Sequence, residues 1–304
     1  MATKRSLTSY LTIIFMVIVI IQAIPFTIKF IKSYYDDILQ LKTKVGLIKI
    51  DQPVMEAGSY SKSIKKFFHD KEIKAILLHI ECPGGAAGSS QSIFNEIMSY
   101  KKDYPKPVVV MTNDLCASGG YYIACAADYI IASPSAIVGS IGSYIGTLKL
   151  KDFAEHWKVK YQIKQSGKYK TALNPFGESS PEIEKFVQEV TDDVYNQFTN
   201  DVAARRKLIL KDADKWANGK FFTGKQALAL GLVDELGSEY NTIKKIKELA
   251  LIEKDKEIEW VHAKQPSLYN KILGKEDDNG SLSITSLLVS KIMHFPFMAF
   301  TQID

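Results

Sequence analysis

The feature that most constrains the fold is an almost wholly apolar run, Ile73–Ile80 (IKAILLHI), with amphipathic segments on both sides. A strand this apolar has to be covered on both faces, which is typical of a parallel sheet between layers of helices. The same alternation continues along the chain, with strands predicted at 45–50 and 107–111 and helices at 59–68 and 87–100. The sequence therefore predicts an α/β domain built from successive βα units.

The N-terminal region is different in kind. Residues 7–28 are uncharged and strongly apolar, and about 20 helical residues are enough to cross a bilayer. A cleaved signal peptide is the alternative, but its apolar region is only about 7–15 residues long and ends in a small-x-small cleavage site, which the sequence QAIP at 22–25 does not supply. We therefore predict one transmembrane anchor within residues 1–32 and a polar stalk at 33–44. Lysines flank both ends of the span, so charge counting leaves its orientation open.

Charge and cysteine content exclude several classes of protein. The net charge of +5 comes from lysines scattered along the chain and not from a basic block, which argues against a nucleic-acid partner. The three cysteines, Cys82, Cys116 and Cys125, are odd in number and lie in apolar or turn contexts. Because no Cys-x-x-Cys or Cys/His ligand spacing occurs, we predict buried free thiols, no metal site and no cofactor.

The most informative motif is TNDLCASGGYYIACAA at 112–127. It places Ser118 on a turn between a predicted strand and a predicted helix. Gly119 and Gly120 follow directly, and glycines there let the backbone bend sharply and bring N–H groups close to a substrate atom. These are the requirements of a nucleophile. A turn with a capping serine is the alternative, since Ser-Gly-Gly is common in loops.

A second turn lies at the same edge of the predicted sheet. Pro83-Gly84-Gly85 follows the apolar strand, so it exposes backbone N–H groups at the carboxyl end of the strands, where Ser118 is also expected. The N–H groups of Gly85 and Gly119 are therefore candidate oxyanion donors. Many turns after a strand contain two glycines, so this motif alone is weak evidence. It becomes informative because the Pro-Gly-Gly turn and the Ser118 turn are expected at the same edge of the sheet.

Glycines also recur in DYIIASPSAIVGSIGSYIG at 128–146. Two short strands are predicted there, at 129–132 and 136–138. Gly139, Gly142 and Gly146 leave the following backbone bare, which would allow an extended peptide to approach and pair with it. A loop that merely needs positive φ angles is the alternative.

A serine nucleophile needs a base, and none of the five histidines lies in a setting that suggests a catalytic triad. A lysine can act as the base near neutral pH when burial lowers the pKa of a lysine by about three units. Lys170 lies in SGKYKTALNPF at 166–176, among small and apolar residues where we expect such burial. An ordinary solvated lysine is the alternative.

Four of these motifs together carry a family resemblance: PGG at 83–85, ASGGYYIA at 117–124, VGSIG at 138–142 and GKYKTALNPF at 167–176. Over about residues 45–251 the chain resembles the signal peptide peptidase A / SohB family of serine–lysine membrane proteases, which are relatives of the Clp protease and crotonase fold. The resemblance implies a spiral core of repeated ββα units with helices packed outside. NGKFFTGKQA at 218–227 and GLVD at 231–234 resemble the family's closing segment, which packs the helical arm.

The resemblance also implies a role for individual residues. It makes Ser118 the nucleophile, Lys170 the general base and Ser140 the hydroxyl that orients the lysine amine. It assigns the oxyanion hole to the N–H groups of Gly85 and Gly119. From the glycine-rich backbone at 139–146 we predict substrate binding by Gly139, Ile141 and Gly142. The Glu81-Cys82 pair departs from the polar serine that usually leads into Pro-Gly-Gly in this family.

The function implied is that of a membrane-anchored serine endopeptidase that hydrolyses cleaved signal peptides and other short hydrophobic membrane peptides through an acyl-enzyme. The resemblance implies a bacterial inner or plasma membrane, with the catalytic domain on the extracytoplasmic side, and assembly of copies into a ring or dome. Two alternatives stay open: a crotonase-type acyl-CoA enzyme and a catalytically inactive membrane scaffold.

The remaining sequence completes the predicted organisation. A long amphipathic helix at 181–208 has apolar residues at four-residue spacing and is too long to be covered by one small domain. We predict a peptidase domain at 45–251 and a C-terminal extension at 252–304. The extension contains a polar linker at 275–280 and an apolar stretch at 282–300 that is interrupted by Lys291, His294 and Pro296, which favours a docking or interfacial helix.

Overall fold

The structure, a computed structural model, describes the backbone of residues 7–39 and 42–263 and the side chains of residues 12–31 and 42–263. The helices are α1 Leu7–Leu39, α2 Gly58–His69, α3 Ala87–Asp103, α4 Gly119–Ala124, α5 Lys151–His156, α6 Pro181–Arg206, α7 Ala213–Trp216, α8 Gly224–Ala229 and α9 Glu239–Leu249. The strands are β1 Thr43–Ile50, β2 Ile73–Ile80, β3 Val108–Thr112, β4 Leu115–Ala117, β5 Tyr129–Ala132, β6 Ile137–Gly139, β7 Phe221–Thr223, β8 Glu235–Leu236 and β9 Ile258–His262.

The main sheet has six strands in the order β8-β5-β3-β2-β1-β9, and all its neighbouring pairs are parallel. One face packs side chains such as Ile76 against Phe67 of α2 and Ile93 of α3, and the other packs side chains such as Leu77 against Ile246 of α9. Each fully buried side chain of this size contributes roughly 1.5–3 kcal/mol of hydrophobic free energy. The predicted parallel α/β sheet with helices outside is confirmed.

A second, smaller sheet has the order β4-β6-β7. Strand β4 pairs in parallel with β6, and β7 pairs with β6 in the antiparallel direction. Strand β7, which comes from far along the chain, pairs with β6 on the side opposite β4. Strand β6 is therefore the central strand of this sheet. An isolated bridge between Cys82 and Cys116 joins the smaller sheet to the segment that follows β2.

Helix α6 is anchored to the core at only one end. Ser180 caps its first turn by accepting a hydrogen bond from Ile183 N–H at 3.3 Å, and Lys207 ends it in a left-handed conformation. Residues 143–197, which we call the arm, comprise the segment after β6, α5, the turns that follow it and the first part of α6. Ala154 is the only fully buried residue of the arm. The arm therefore extends from the core with most of its side chains in solvent.

The N-terminal helix α1 has Pro25 inside it and continues through residues 33–39. The predicted polar stalk at 33–44 is thus helical as far as Leu39, and the boundary at 32 stays a prediction. The stretch Thr12–Ile31 is long and apolar enough to cross a membrane, and none of it is buried against the rest of the protein. It is a candidate membrane span, although a signal sequence would satisfy the same criteria of length and composition.

The last strand of the main sheet lies beyond the predicted domain boundary at residue 251. Strand β9, which lies in the predicted extension, pairs in parallel with β1 and forms one edge of the main sheet. The sheet thus continues beyond residue 251. The predicted linker at 275–280 and the predicted docking helix at 282–300 lie outside the described residues.

Candidate active site

Ser118 lies between β4 and α4, as its position on a strand-to-helix turn predicts. Its backbone has φ 50° and ψ −124°, a conformation that residues other than glycine rarely adopt. Such conformations cost about 1–3 kcal/mol and persist only where surrounding contacts impose them. Here Ser118 N–H donates to Gly139 O at 2.7 Å, and Ser118 O accepts from Tyr122 N–H at 2.9 Å. The turn is thus held at both of its peptide groups.

The Pro-Gly-Gly turn lies directly against Ser118. A methyl group on Gly84 would lie 3.0 Å from Ser118 Oγ, and Gly84 and Gly85 have φ angles of 123° and 149°. Val54 holds the other side of the turn, since its N–H donates to Gly84 O and its C=O accepts from Ala86 N–H, both at 2.8 Å. In a parallel bridge of this kind, the N–H of the residue opposite Val54, which is Gly85, points away from Val54.

The two predicted oxyanion donors lie next to each other. A methyl group on Gly119 would lie 3.3 Å from the backbone nitrogen of Gly85. Within residues 42–263, neither the Gly85 N–H nor the Gly119 N–H has a hydrogen-bond acceptor. Two adjacent N–H donors that lack partners can together stabilise an oxyanion, and here they lie beside Ser118.

Ser140 lies at the same edge. Ala117 pairs with Gly139 in the register of β4 and β6, so Ser118 and Ser140 are the next residues on two neighbouring parallel strands. Ser140 also has a positive φ angle, 51°, and its N–H donates to Lys220 O at 2.8 Å. The structure thus brings together four of the predicted site residues: Ser118, Ser140, Gly85 and Gly119.

The predicted substrate residues are only partly available. Ile141 is fully buried in the core, and the C=O of Gly139 already accepts the Ser118 N–H. Gly139 lies on the central strand β6, with β4 on one side and Phe221 of β7 on the other. The expectation that the backbone is open from Gly139 onward is therefore wrong. Residues 142–149 leave the sheet and lie outside any helix or strand, so an open edge can begin only at Gly142.

Lys170 is not at this edge. It lies on the arm, in a run of turns, and its side chain is exposed. The neighbouring residues pack on the first turns of α6, where Lys168 pairs with Glu182 at 2.6 Å and the Tyr169 ring stacks on Phe186 at 4.8 Å. The expected burial of Lys170 is wrong for the single chain, because the small and apolar residues around it also lie on the arm.

The length of α6 sets the scale of this separation. Glu182 lies in its first turn, whereas Phe198 is buried against the Tyr122 ring of α4 with a centroid distance of 4.3 Å. At a rise of about 1.5 Å per residue, Glu182 and Phe198 are roughly 24 Å apart along the helix axis. Lys170 is thus carried away from the core that holds Ser118.

Ser90 is a residue of the site that the sequence interpretation missed. It lies in the first turn of α3, is fully buried, and its hydroxyl has no hydrogen-bond partner among the described residues. A methyl group on Gly119 would lie 2.2 Å from Ser90 Oγ, so the serine fills the space that a side chain at 119 would need. The available signal was the run of small residues that opens the helix after Pro-Gly-Gly.

The cysteines are buried and free, as predicted. Cys82 lies beneath the Pro-Gly-Gly turn, where its Sγ accepts the Gly84 N–H at 3.3 Å. Burial raises the pKa of the Cys82 thiol, which keeps it protonated near neutral pH. Within residues 42–263 and the described part of α1, no group of three or more His, Cys, Asp or Glu residues is placed to hold a metal ion.

A groove of about 410 Å³ runs along the first part of α6. Its walls come from the segment that leaves β6, including Tyr144 and Ile145, and from α6, including Ile183 and Val187. The groove therefore begins where the active-site edge ends and follows the arm. Its lining mixes aliphatic side chains with hydroxyl groups, Gln188 and the oppositely charged Lys149 and Glu184.

Comparisons with known proteins agree with this geometry. Residues 100–253 match the model of a family described as peptidase family S49. A provisionally named protease of Synechocystis sp. is 36% identical over 191 residues, which are 63% of this chain and 68% of the relative. A provisionally named protease of Methanocaldococcus jannaschii is 31% identical over 209 residues, 69% of this chain and 67% of the relative. A provisionally named signal peptide peptidase of Enterococcus faecium is 32% identical over 190 residues, which are 62% of this chain but only 55% of the relative.

Proposed function

The chain belongs to peptidase family S49, and we propose that it cleaves peptide bonds with Ser118 as the nucleophile and Lys170 as the general base. The observation that carries this proposal is that Ser118 lies beside the N–H groups of Gly85 and Gly119, which have no acceptor within residues 42–263. A crotonase-type enzyme also uses paired N–H groups, but its chemistry needs no serine at their side. The presence of Ser118, in a strained conformation beside these N–H groups, therefore favours the peptidase over the acyl-CoA enzyme.

In the proposed reaction, Ser118 Oγ attacks the carbonyl carbon of the peptide bond while its proton passes to the neutral amine of Lys170. The carbonyl oxygen becomes an oxyanion that accepts hydrogen bonds from Gly85 and Gly119. The C–N bond then breaks, the leaving amine takes the proton from the lysine, and an ester joins the acyl group to Ser118. Water attacks the ester with the lysine as base, which releases the acid and returns the proton to Ser118.

Ser140 has a supporting role in this proposal. Its place beside Ser118 on the neighbouring strand lets its hydroxyl form a hydrogen bond with an amine that approaches the nucleophile. That contact would orient the amine without taking part in proton transfer. Replacing Ser140 by alanine should therefore lower turnover substantially, but less than replacing Ser118.

Lys170 reaches the nucleophile, we propose, from a neighbouring copy of the chain. The side chain is exposed in the single chain, and the first turns of α6 that hold its loop lie roughly 24 Å along the helix from the anchored end. A lysine acts as a base near neutral pH only when it is withdrawn from water. Contact between the arm of one copy and the core of the next would supply both the approach and the burial, in a ring or dome of identical subunits.

The proposed substrates are cleaved signal peptides and other short hydrophobic membrane peptides. Support comes from the apolar helix α1, which would hold the catalytic domain near a bilayer, and from the relative named as a signal peptide peptidase. An extended substrate would pair with the backbone from Gly142 onward. The aliphatic side chains in the adjoining groove, such as Ile183 and Val187, would favour small or aliphatic side chains next to the cut. A peptide library with a strong preference for charged residues at the cut would contradict this.

For location, we propose an anchor in a bacterial inner or plasma membrane, with the catalytic domain on the extracytoplasmic side. The anchor would be residues 1–32, the stalk 33–44, the peptidase domain 45–251 and the extension 252–304, with β9 of the extension completing the main sheet. Protease added outside intact spheroplasts should digest the catalytic domain. Protection until the cells are lysed would place the domain on the other side.

The experiment that tests the catalytic assignment compares full-length variants in detergent with a hydrophobic membrane peptide as substrate. Ser118→Ala and Lys170→Ala should each reduce turnover to background, because each removes a reacting group. Lys168→Ala is the matched control, since this lysine lies two residues away, is exposed and pairs with Glu182. It should keep activity within about twofold of the parent, as expected for an exposed ion pair.

Three outcomes would overturn the assignment. Retained activity in Ser118→Ala would exclude the serine mechanism. Retained activity in Lys170→Ala together with loss in Lys168→Ala would move the base to Lys168. A parent protein that is inactive on every hydrophobic peptide, and that fails to react with a serine-directed fluorophosphonate, would favour the inactive scaffold.

A further inference from the structure

Glu81 makes an unusual set of contacts for a residue with no assigned role. It follows β2 directly and its side chain is about three quarters buried. Its Oε1 accepts the Asn113 N–H at 2.6 Å, and its Oε2 accepts the Asp114 and Leu115 N–H groups at 2.9 Å each. One carboxylate thus binds three successive backbone N–H groups of the turn between β3 and β4.

The Glu81 carboxylate holds the 113–115 turn firmly, because it accepts all three hydrogen bonds as a charged group. Hydrogen bonds from N–H groups to an ionised carboxylate are roughly twice as strong as those between neutral groups. The His79 Nε2 also lies 3.2 Å from Glu81 Oε1, and the Asn113 side chain lies 3.3 Å from the same imidazole nitrogen. The carboxylate therefore has partners on both oxygens and is fixed in orientation.

The two segments that Glu81 joins are the two halves of the active site. Glu81 leads into Cys82 and the Gly84-Gly85 turn, while the turn that it binds leads through β4 to Ser118 and Gly119. The backbones between them are also paired, since Cys82 N–H donates to Leu115 O at 2.7 Å and Ala117 N–H donates to Cys82 O at 3.0 Å. The carboxylate closes the outer end of this short ladder.

We infer that Glu81 is a positioning residue, which fixes the spacing between the two N–H groups of the oxyanion hole. The inference rests on the proposed function for its catalytic consequence. Gly85 follows the Glu81-Cys82 segment, and Gly119 follows the paired segment at 115–117. Movement of the 113–115 turn relative to Glu81 would therefore shift Gly119 relative to Gly85. Oxyanion stabilisation is sensitive to such shifts, because the donors must lie at about 2.7–3.1 Å from the oxyanion.

The test uses Glu81→Gln in the full-length protein. Glutamine has nearly the same shape, but one of its two terminal atoms is an NH₂ group that cannot accept a hydrogen bond. In either orientation it therefore faces at least one N–H of the turn with a donor. The matched control is Glu72→Gln, which removes the carboxylate that pairs with Lys44 at the opposite end of β2.

We expect kcat to fall by about ten- to a hundredfold in Glu81→Gln, which is a smaller fall than removal of an oxyanion donor causes. KM should change by less than about threefold. A peptide aldehyde, which forms a tetrahedral adduct with the serine, should lose affinity by the same factor as kcat/KM. Peptide affinity measured in a Ser118→Ala background should not change. Glu81→Asp, which keeps the charge, should recover part of kcat, and Glu72→Gln should match the parent.

Hydrogen–deuterium exchange gives a readout that does not depend on catalysis. In Glu81→Gln, exchange should accelerate at the 113–115 amides and also at 117–119. Parent-like exchange at 117–119, or parent-like kcat and aldehyde affinity, would overturn the positioning role while leaving the peptidase proposal intact. If the parent itself fails to cleave peptides, the proposed function fails, and the exchange at 117–119 still decides whether Glu81 couples the two turns.

Discussion

Ser118 and Ser140 show how this site is built at the scale of single residues. Both have positive φ angles near 50°, in a region that costs a side-chain-bearing residue about 1–3 kcal/mol. Both are held there by a short backbone hydrogen bond to another strand, from Ser118 to Gly139 and from Ser140 to Lys220. The smaller sheet therefore imposes the two conformations that place the hydroxyl groups at its edge.

Gly85 gives the first prediction at this scale. A methyl group there would lie 2.3 Å from Val54 O and 2.6 Å from Val54 N, and its φ of 149° is unfavourable for alanine. Both obstacles are backbone atoms, so the turn or Val54 has to move. Gly85→Ala should lower kcat/KM by about a hundredfold or more, as removal of one oxyanion donor does. The measurement is steady-state cleavage of a membrane peptide.

Gly88→Ala is the control for this change. Gly88 is three residues away in the first turn of α3, and a methyl group there would meet nothing within 4 Å. Alanine favours a helix over glycine by up to about 1 kcal/mol, so this variant should be fully active and slightly more stable. Equal activity of the two variants would mean that the Gly85 turn takes no part in catalysis.

The three buried cysteines give a prediction about pH and stability. Burial raises the pKa of each thiol above its ordinary value of 9.0, and that of Cys125 to about 12. A group whose pKa is higher in the folded state stabilises the fold below its unfolded pKa and loses that contribution as pH approaches its folded pKa. The free energy of unfolding should therefore decline as pH rises from about 9 toward 12.

A variant with alanine at all three cysteine positions tests this. Its stability near pH 7 will differ because side-chain volume is lost, so the relevant quantity is the slope of the unfolding free energy against pH, measured by denaturant titration in detergent. The slope between pH 9 and 11 should be shallower than in the parent. An identical slope would assign the alkaline loss of stability to other groups.

At the scale of elements, α6 depends on a few contacts at its C-terminal end. Arg206 donates to Asp234 through two nitrogens at 2.8 and 2.9 Å and to Gly231 O at 2.9 Å. Its side chain is 10% exposed. Asp234 also accepts the Ile130 N–H at 2.7 Å, so the pair ties the helix to the edge of the main sheet. The segment at 231–234 thus binds the C-terminal end of α6, and its packing against the arm stays a prediction.

Removing one partner of such a pair leaves the other charge partly buried and uncompensated. Arg206→Ala should therefore lower the free energy of unfolding by about 3 kcal/mol. Lys185→Ala on the same helix is the control, because its pair with Glu189 is exposed and 3.9 Å long, so its effect should stay within about 0.5 kcal/mol. Denaturant unfolding of both variants in detergent measures the difference, and equal midpoints would contradict the proposed anchoring role.

The elements also show what the sequence could and could not predict. The strand predicted at Ile73–Ile80 has the same bounds in the structure. Its apolar run ends clearly on both sides, so it can be recognised without knowledge of a distant partner. Gly139 and Ile141 were misplaced because β7 returns from far along the chain to cover β6, a pairing that no local pattern encodes. The family resemblance is confirmed by the match over residues 100–253.

The same reasoning explains Lys170 and β9. The small and apolar neighbours of Lys170 suggest burial, but a local pattern does not say against what, and within one chain those residues lie on the arm. Strand β9 was missed because it is a short edge strand in which Glu259 and His262 interrupt the apolar residues, so it lacks the continuous apolar run that marks the central strands. Local sequence thus predicts elements well, and long-range packing poorly.

At the scale of the whole molecule, the arm presents an unusual surface. Leu148, Phe153 and Trp157 are each more than 60% exposed, and Val159 and Tyr161 more than half exposed. Exposed apolar patches of this kind mark interaction sites in soluble domains. The arm also carries Lys170, whereas the core carries Ser118 and the proposed oxyanion donors Gly85 and Gly119. A contact that covers the arm of one copy with the core of the next would bury the patch and complete the site together.

Mixed subunits distinguish this arrangement from a site formed within one chain. Ser118→Ala keeps Lys170, and Lys170→Ala keeps Ser118, so each variant is inactive alone in either case. If the two residues come from different copies, co-expression in equal amounts should restore about one quarter of the parent activity, because about one in four sites then combines an intact serine with an intact lysine from its neighbour in a closed ring. Co-expression of Ser118→Ala with the Ser118→Ala/Lys170→Ala double variant provides the inactive control. Background activity in the mixed Ser118→Ala and Lys170→Ala assembly, with both chains shown to co-purify, would mean that the arm folds back and Lys170 serves its own chain.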